Sequence, residues 1–484
     1  MRNRPRLVVL LLAGAVSCAG GAGDDIVPPP RDGGFVRDSG VIRDAGPGRD
    51  AGFRDSGRRP RDAGFRDGGP GRDGGPGRDG GFACTPPLIE CNSTCVDPFA
   101  DPLHCGACDT TCTAPDTCLV GVCSGPPLEI TTSVAPQLIG SGCNGAESQA
   151  DTVAIDPAHN LYVAMLCGNR DARVARSTNG GVSYSPAVPI GFGESKQVTI
   201  VADGPGVLHA FAQTTTNSLL YARSFDFGAT WSAPRIIDGG PINFGFNSLR
   251  VNAVARRGYV ASSVMVFGNA MLRVYRNEAS GSGAFLRTEI GFGSWGGNLA
   301  LDPVNDDVLL LVESIEEARV YRSTDRGASF APIFTSGPLA TAPEYVWSPP
   351  YAIAACSIYM FGMKEQPPCF FRLDTTTMQS APVAIPTGYI GVYSLGYGSV
   401  ALGSDGTAYV ALDEGTDPVG PKTGMAIGRI APGATAISDV RIMTRDYPTD
   451  LEVSTIDMKI VPGTSAAVLT FTTNAGVWAA VEVF

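Results

Sequence analysis

Hydrophobic positions along the 484 residues fall into three regimes. Leu7 to Val16 is an apolar run behind Arg2, Arg4 and Arg6, too short for the roughly 20 residues of a membrane-spanning helix, so it predicts an export signal. Residues 19–83 show no apolar period. From about residue 128 onward the chain becomes short β-branched and aromatic runs, punctuated by Gly, Pro, Asn and Asp and without a sustained helical period. These runs repeat as units whose innermost strands begin near Val153, Val198, Val251, Leu299, Ala352, Val400 and Met458. The last run, Val477 to Phe484, reads as a third strand with no fourth behind it. Leu128-Glu129-Ile130-Thr131-Thr132 reads as that fourth strand, so the N-terminal side of the domain would close the last unit and leave no open edge.

Three segments match one another in register: Ser177-Thr178-Asn179-Gly180-Gly181-Val182-Ser183-Tyr184, Ser224-Phe225-Asp226-Phe227-Gly228-Ala229-Thr230-Trp231 and Ser323-Thr324-Asp325-Arg326-Gly327-Ala328-Ser329-Phe330. The carboxylate or amide can accept backbone N–H groups within a tight turn, and glycine takes the positive φ that a β-carbon opposes. The segments resemble the Asp box (BNR repeat) of the sialidase-like β-propeller superfamily, with Asn179 in place of Asp and Phe330 in place of Trp. A skipped copy falls near Tyr275-Arg276-Asn277. The resemblance implies an all-β propeller over 127–484, and the count of repeating units gives about seven four-stranded blades, with six as the alternative. It also implies that Asn179, Asp226 and Asp325 are structural, because the family carries this box away from its catalytic face.

Composition changes the reading most before residue 127. Ala15-Val16-Ser17-Cys18 resembles the lipobox of bacterial lipoproteins, with Ala15 where Leu is usual. That implies a signal over 1–18, lipidation at Cys18 and a cell-surface or outer-membrane address, with secretion or the periplasm as the alternative. Residues 19–83 hold 11 Arg and 11 Asp in a recurring Arg-Asp pattern among Gly, Pro and Ala. With nothing to bury against the entropy of ordering, they read as a disordered tether. Gly68 to Asp73 and Gly74 to Asp79 fit the start of a calcium-binding repeat, but the period and the missing apolar position favour the tether.

Cys84, Cys91, Cys95, Cys105, Cys108, Cys112, Cys118 and Cys123 fall in a segment of about forty residues, 84–125. An even count in so short an exported segment predicts a disulfide module rather than a zinc site, despite Cys105-Gly106-Ala107-Cys108 beside His104. Connectivity stays open among the many pairings eight cysteines allow. The run from Cys91 to Cys108 resembles a Cys-rich module near the start of bacterial surface lipoproteins. Cys143 and Cys167 are expected to form a further disulfide.

A net charge of −11 argues against nucleic acid as a partner, and no cofactor or metal is expected. Candidates for a ligand-binding face opposite the boxes are Trp295, Tyr345, Trp347, Tyr389 and Tyr393, whose rings could stack on sugars or peptides, with Glu194, Glu344 and Asp413. In the Gly191-Phe192-Gly193 loop the phenylalanine is expected to plug a joint between blades. Sialidases take their first arginine from a Phe/Tyr-Arg-Ile-Pro motif ahead of the first box, and that motif does not occur here. The expectation is a monomeric, non-catalytic recognition or scaffolding propeller for extracellular glycan or protein ligands, tied to the membrane by its lipid. A sialidase-like exo-glycosidase with paired carboxylates is the alternative.

Overall fold

The computed structural model describes residues 84, 88–144, 152–239, 251–266, 271–291, 296–302, 307–313, 318–335, 344–348, 351–355, 370–374, 377, 379–387, 389–391, 400–403, 405–414, 424–444 and 455–484. Every regular element among them is a β-strand, and no described helix is long and apolar enough to cross a membrane. The disulfide-rich region carries two small hairpins, β1 (Ile89–Cys91) with β2 (Thr94–Val96) and β3 (Thr117–Leu119) with β4 (Val122–Ser124). Its cysteines pair as Cys84–Cys95, Cys91–Cys108, Cys105–Cys118 and Cys112–Cys123.

The remaining strands are β5 (Val134–Ser141), β6 (Cys143–Asn144), β7 (Val153–Ile155), β8 (Leu161–Cys167), β9 (Asp171–Ser177), β10 (Val188–Gly204), β11 (Val207–Thr214), β12 (Leu219–Ser224) and β13 (Arg235–Asp238). They continue as β14 (Val251–Arg256), β15 (Tyr259–Val266), β16 (Met271–Asn277), β17 (Leu286–Gly291), β18 (Gly296–Leu301), β19 (Val308–Glu313), β20 (Ala318–Ser323) and β21 (Ala331–Thr335). Then follow β22 (Glu344–Ser348), β23 (Tyr351–Ala355), β24 (Phe370–Asp374), β25 (Gln379–Pro382), β26 (Tyr389–Gly391), β27 (Val400–Leu402), β28 (Ala408–Glu414), β29 (Gly424–Ile430) and β30 (Ser438–Thr444). The chain closes with β31 (Thr455–Ile460), β32 (Ala466–Thr473) and β33 (Gly476–Val483).

All ladders are antiparallel and mostly between sequence neighbours, which gives up-and-down sheets in a propeller-like arrangement. The 17-residue β10 serves two sheets: its first residues pair with β9, and from Ser195 it pairs with β11. Innermost strands touch in chain order, β7 to β10, β14, β18, β22, β27 and β31, and β31 returns to β7. Apolar clusters lie between adjacent sheets: one joins Val174 and Ile190 to Ile200 and Leu208, and another joins Val274 to Leu310. Phe192 is buried in the first of these, so the Gly-Phe-Gly residue does plug a joint.

Two expectations of register need correction. The strand that completes the last sheet is β5, paired to β33 from Val481↔Val134 to Gly476↔Ser141, and not Leu128–Thr132. That earlier segment is committed elsewhere: Leu128 donates its N–H to Ala158 O at 3.1 Å, its own carbonyl meets His159 Nδ1 at 2.7 Å, and Ile130 is buried. In the fifth unit Ala352 belongs to the second strand, and Glu344–Ser348 is the innermost. In the sequence Pro349 and Pro350, which cannot donate to a ladder, stand between these two strands.

Candidate functional site

The sheets have two ends. One carries the turns from first to second and from third to fourth strands, including the boxes. The other carries the second-to-third turns and the passages from sheet to sheet.

At the box end the geometry repeats closely. Gly181, Gly228 and Gly327 each donate an N–H to the buried hydroxyl of Ser177, Ser224 or Ser323, at 2.9, 2.9 and 2.6 Å. The Asn179, Asp226 and Asp325 side chains accept the N–H of Ser183, Thr230 and Ser329 at 3.0, 2.8 and 2.8 Å. In the skipped copy Asn277 stands at the serine position, and its Oδ1 accepts Gly281 N–H at 2.9 Å. The hydroxyl of Ser329 and the N–H groups around it hold the Asp325 carboxyl down at about 2. Thr230 lowers Asp226 in the same way, chiefly through its hydroxyl. The aromatics Tyr184, Trp231 and Phe330 pack against the clusters between sheets.

Two further sets of side chains lock each sheet to the next at this end. Asp156 is buried and accepts Ala158 and Asn160 N–H at 2.9 Å, the Tyr162 hydroxyl at 2.8 Å and Gly206 N–H of the following sheet at 3.0 Å. Asp203 holds Gly258 N–H of its neighbour at 2.9 Å. The second set is arginine. Arg176 lies 4.4 Å over the Phe227 ring, and Arg223 donates to Ser280 O at 2.9 Å and to Ser282 Oγ at 2.7 Å. Arg372 donates to Gly433 O, and Arg429 lies 5.6 Å from the Phe484 ring centre. Each reaches from a third strand to the next sheet. Sequence reading missed this series, although an arginine directly before Ser177, Ser224, Asn277 and Ser323 was its visible signal.

The other end is described chiefly around the first two sheets. Cys143 and Cys167 form a disulfide between β6 and β8. Ser195 N–H meets Arg170 O at 3.0 Å, and Thr215 N–H meets Glu194 O at 3.1 Å, which stitches the two hairpin tips together. Glu194 is exposed and stands opposite Asp171 in the ladder. The register breaks between Pro189 and Glu194, so Glu194 and Asp171 are neighbours in the ladder at an irregular point of this rim. Asp171 is already engaged by Arg173 Nε at 2.9 Å. Lys196 Nζ donates to Asn217 Oδ1 at 2.9 Å. This rim offers a polar ligand both carboxylates and hydrogen-bond donors.

The other candidates are dispersed. Trp295 and Tyr393 lie outside the described residues, as do Cys18, Cys356 and Cys369. Glu344, Tyr345 and Trp347 sit within β22 rather than in a connection. Asp413 stands in β28 opposite Ile390 of β26. Tyr389 is half-buried against the cluster of Val383, Val400 and Leu412. In the module the sulfurs of Cys105, Cys112 and Cys123 lie within 4.8 Å of one another, but each is in a disulfide and offers a metal no thiolate. His104 Nδ1 pairs with Asp101 at 2.9 Å, which lowers the Asp101 carboxyl. Five disulfides among the described residues fit an oxidising, exported environment.

Residues 79–125 match the stigma-specific STIG1-like protein family, a stretch that covers the disulfide-rich region. No curated protein matches the chain. Among solved structures it is similar to the GH74 xyloglucanase from Xanthomonas campestris at 13% identity and TM-score 0.46, over 72% of this chain and 53% of that one. It is similar to YCF48 bound to D1 peptide at 12% identity and TM-score 0.45, over 75% and 100% of the two chains. A subtype N10 neuraminidase-like protein of A/little yellow-shouldered bat/Guatemala/060/2010 follows at 9% identity and TM-score 0.37, over 73% and 99%. The chain thus spans about half the length of the xyloglucanase. At these identities the likenesses assign no role to any residue.

Proposed function

We propose that the protein is an exported, lipid-anchored surface protein presenting a seven-bladed Asp-box propeller that recognises or scaffolds extracellular glycan or protein ligands without catalysis. The seven innermost strands touching in turn, with the last against the first, support the blade number. The observation that carries the non-catalytic reading is the sequence ahead of the first box, which lacks the Phe/Tyr-Arg-Ile-Pro motif, and shifted groups among the described residues agree with it. Asp226 and Asp325 are lowered by the hydroxyls and N–H groups of their own turns. Tyr162, Tyr184, Tyr221 and Tyr259 are raised by burial in the sheets. These shifts serve packing and turn formation, whereas acid–base catalysis tunes groups that face a cleft.

The exposed rim at Glu194 favours ligand contact there, and its pairing with Asp171 is the feature on which the exo-glycosidase alternative rests. A glycan array probed with the chain starting at residue 19, followed by assay of each bound glycan for cleavage, separates the readings. Binding with intact glycans is the expected result. Cleavage that disappears in Glu194→Gln would replace recognition by hydrolysis, and an array without binding would direct the search to protein ligands.

A further inference from the structure

The disulfide-rich module, residues 84–125, sits at a defined place on the sheets. The Arg257 guanidinium, in the turn between β14 and β15, lies 5.6 Å from the Phe99 ring centre and 3.9 Å from the Asp97 carboxylate. A β-carbon at Gly204, at the end of β10, would come within 3.8 Å of Val120 Cβ. Both positions belong to first-to-second-strand turns, so the module rests on the box-turn end of the second and third sheets. The chain that leaves it stays on the same end. Leu128 is bonded to Ala158 and His159 in the corresponding turn of the first sheet. Ile130 packs beneath the first box, where a β-carbon at Gly180 would lie 3.3 Å away.

Covalent reach enforces this placement even without the contacts. The segment from Ser124 to Leu128 spans at most about 14 Å at full extension. A seven-residue strand such as β8 runs about 23 Å from one end of a sheet to the other. The module therefore cannot move to the opposite end while Leu128 is bonded where it is. Cys84, where the preceding chain enters, is held to Cys95 by a disulfide and shares that side.

We propose that the module is a base fixed to the box-turn end of the propeller, so that the chain before Cys84 joins at that end and the opposite end, with Glu194 and residues 214–218, is left clear of it and faces away from the anchor. The orientation relative to the membrane rests on the reading of Cys18 as a lipid anchor; the occupied end does not. A photocrosslinking amino acid at position 257 of the chain starting at residue 19 is expected to capture peptides from 94–121, and one at position 217 to capture none of them. Equal capture from both positions, or capture of the module from 217 alone, overturns the base.

On intact cells making the full chain, an epitope inserted between Thr216 and Asn217 is expected to bind a Fab as well as it does on the soluble chain. The same epitope between Gly463 and Thr464, at the box-turn end, is expected to bind several-fold less. Equal binding overturns the orientation. Release of the whole chain into the medium overturns the anchor, and the orientation with it, while the crosslinks still judge the base.

Discussion

Single residues at the box turns show how local chemistry sets the joints. Asp325 is a carboxylate whose ionised form is what the turn requires: it accepts from Ser329 N–H, Ser329 Oγ and Ser323 Oγ. Its carboxyl is held at about 2, below the ordinary 3.8, so ionisation contributes stability that is fully present above the ordinary value. That contribution is lost as pH falls from about 4 towards 2. Asp325→Asn is expected to flatten the acid limb of a thermal-midpoint curve in this window by lowering the midpoint at pH 7 towards its acid value, because an amide can keep the turn, as Asn179 does with Nδ2 donating to Ser183 Oγ, without the stabilisation that ionisation adds. A variant with an unchanged acid limb would remove Asp325 from the linkage. Gly206 is constrained differently, with φ of +71° and a would-be β-carbon 2.8 Å from the Phe227 ring. Its N–H is the one Asp156 takes.

At the scale of elements, stability is concentrated where one sheet is bonded to the next. Asp156 accepts six hydrogen bonds, from Ala158, Asn160 and Tyr162 of its own hairpin and from Gly206 of the following sheet. Asp156→Ala leaves Tyr162 Oη and Gly206 N–H buried without that acceptor, and a loss of about 3 kcal/mol is expected in the urea midpoint with an unchanged slope. A shift under about 0.5 kcal/mol would mean the joint does not depend on this clamp. Cys143–Cys167 closes 24 residues of sequence between β6 and β8, directly after the closing strand β5. Replacing both cysteines by alanine is expected to lower stability by about 3 kcal/mol, read in the same titration. The arginines before Ser177, Ser224 and Asn277 were open to reading as a repeat. The residues they reach were not, because Phe227 and Ser280 belong to the next unit and become neighbours only when sheets stack face to face.

For the whole molecule, closure by β5 is the feature on which solubility turns. Without it β33 would expose a row of unpaired N–H and C=O groups from Gly476 to Val483, an open edge that invites pairing with another chain. A chain beginning at residue 143 is expected to self-associate on size exclusion, where the chain from residue 19 runs as a single species. A monodisperse truncated chain would show that closure does not protect the edge.

What the sequence determined by itself was local. Strand-length apolar runs, the box turns at Asn179, Asp226 and Asp325, and the crowding of cysteines in 84–125 follow from periodicity, turn chemistry and composition, which act over a few residues. What only the tertiary structure decided was pairing at a distance. Leu128–Thr132 and Val134–Ser141 are both strand-like on the page, and burial of Ile130 beneath the first box assigns the closing role to the second. Tyr345 and Trp347 could equally open a loop or a strand until Glu344–Ser348 found its ladder with β23. The eight module cysteines allow many pairings, and their separation in space selects one. The physical reason is common to all three: the contacts that discriminate lie between residues far apart in the chain, where local preference carries no information.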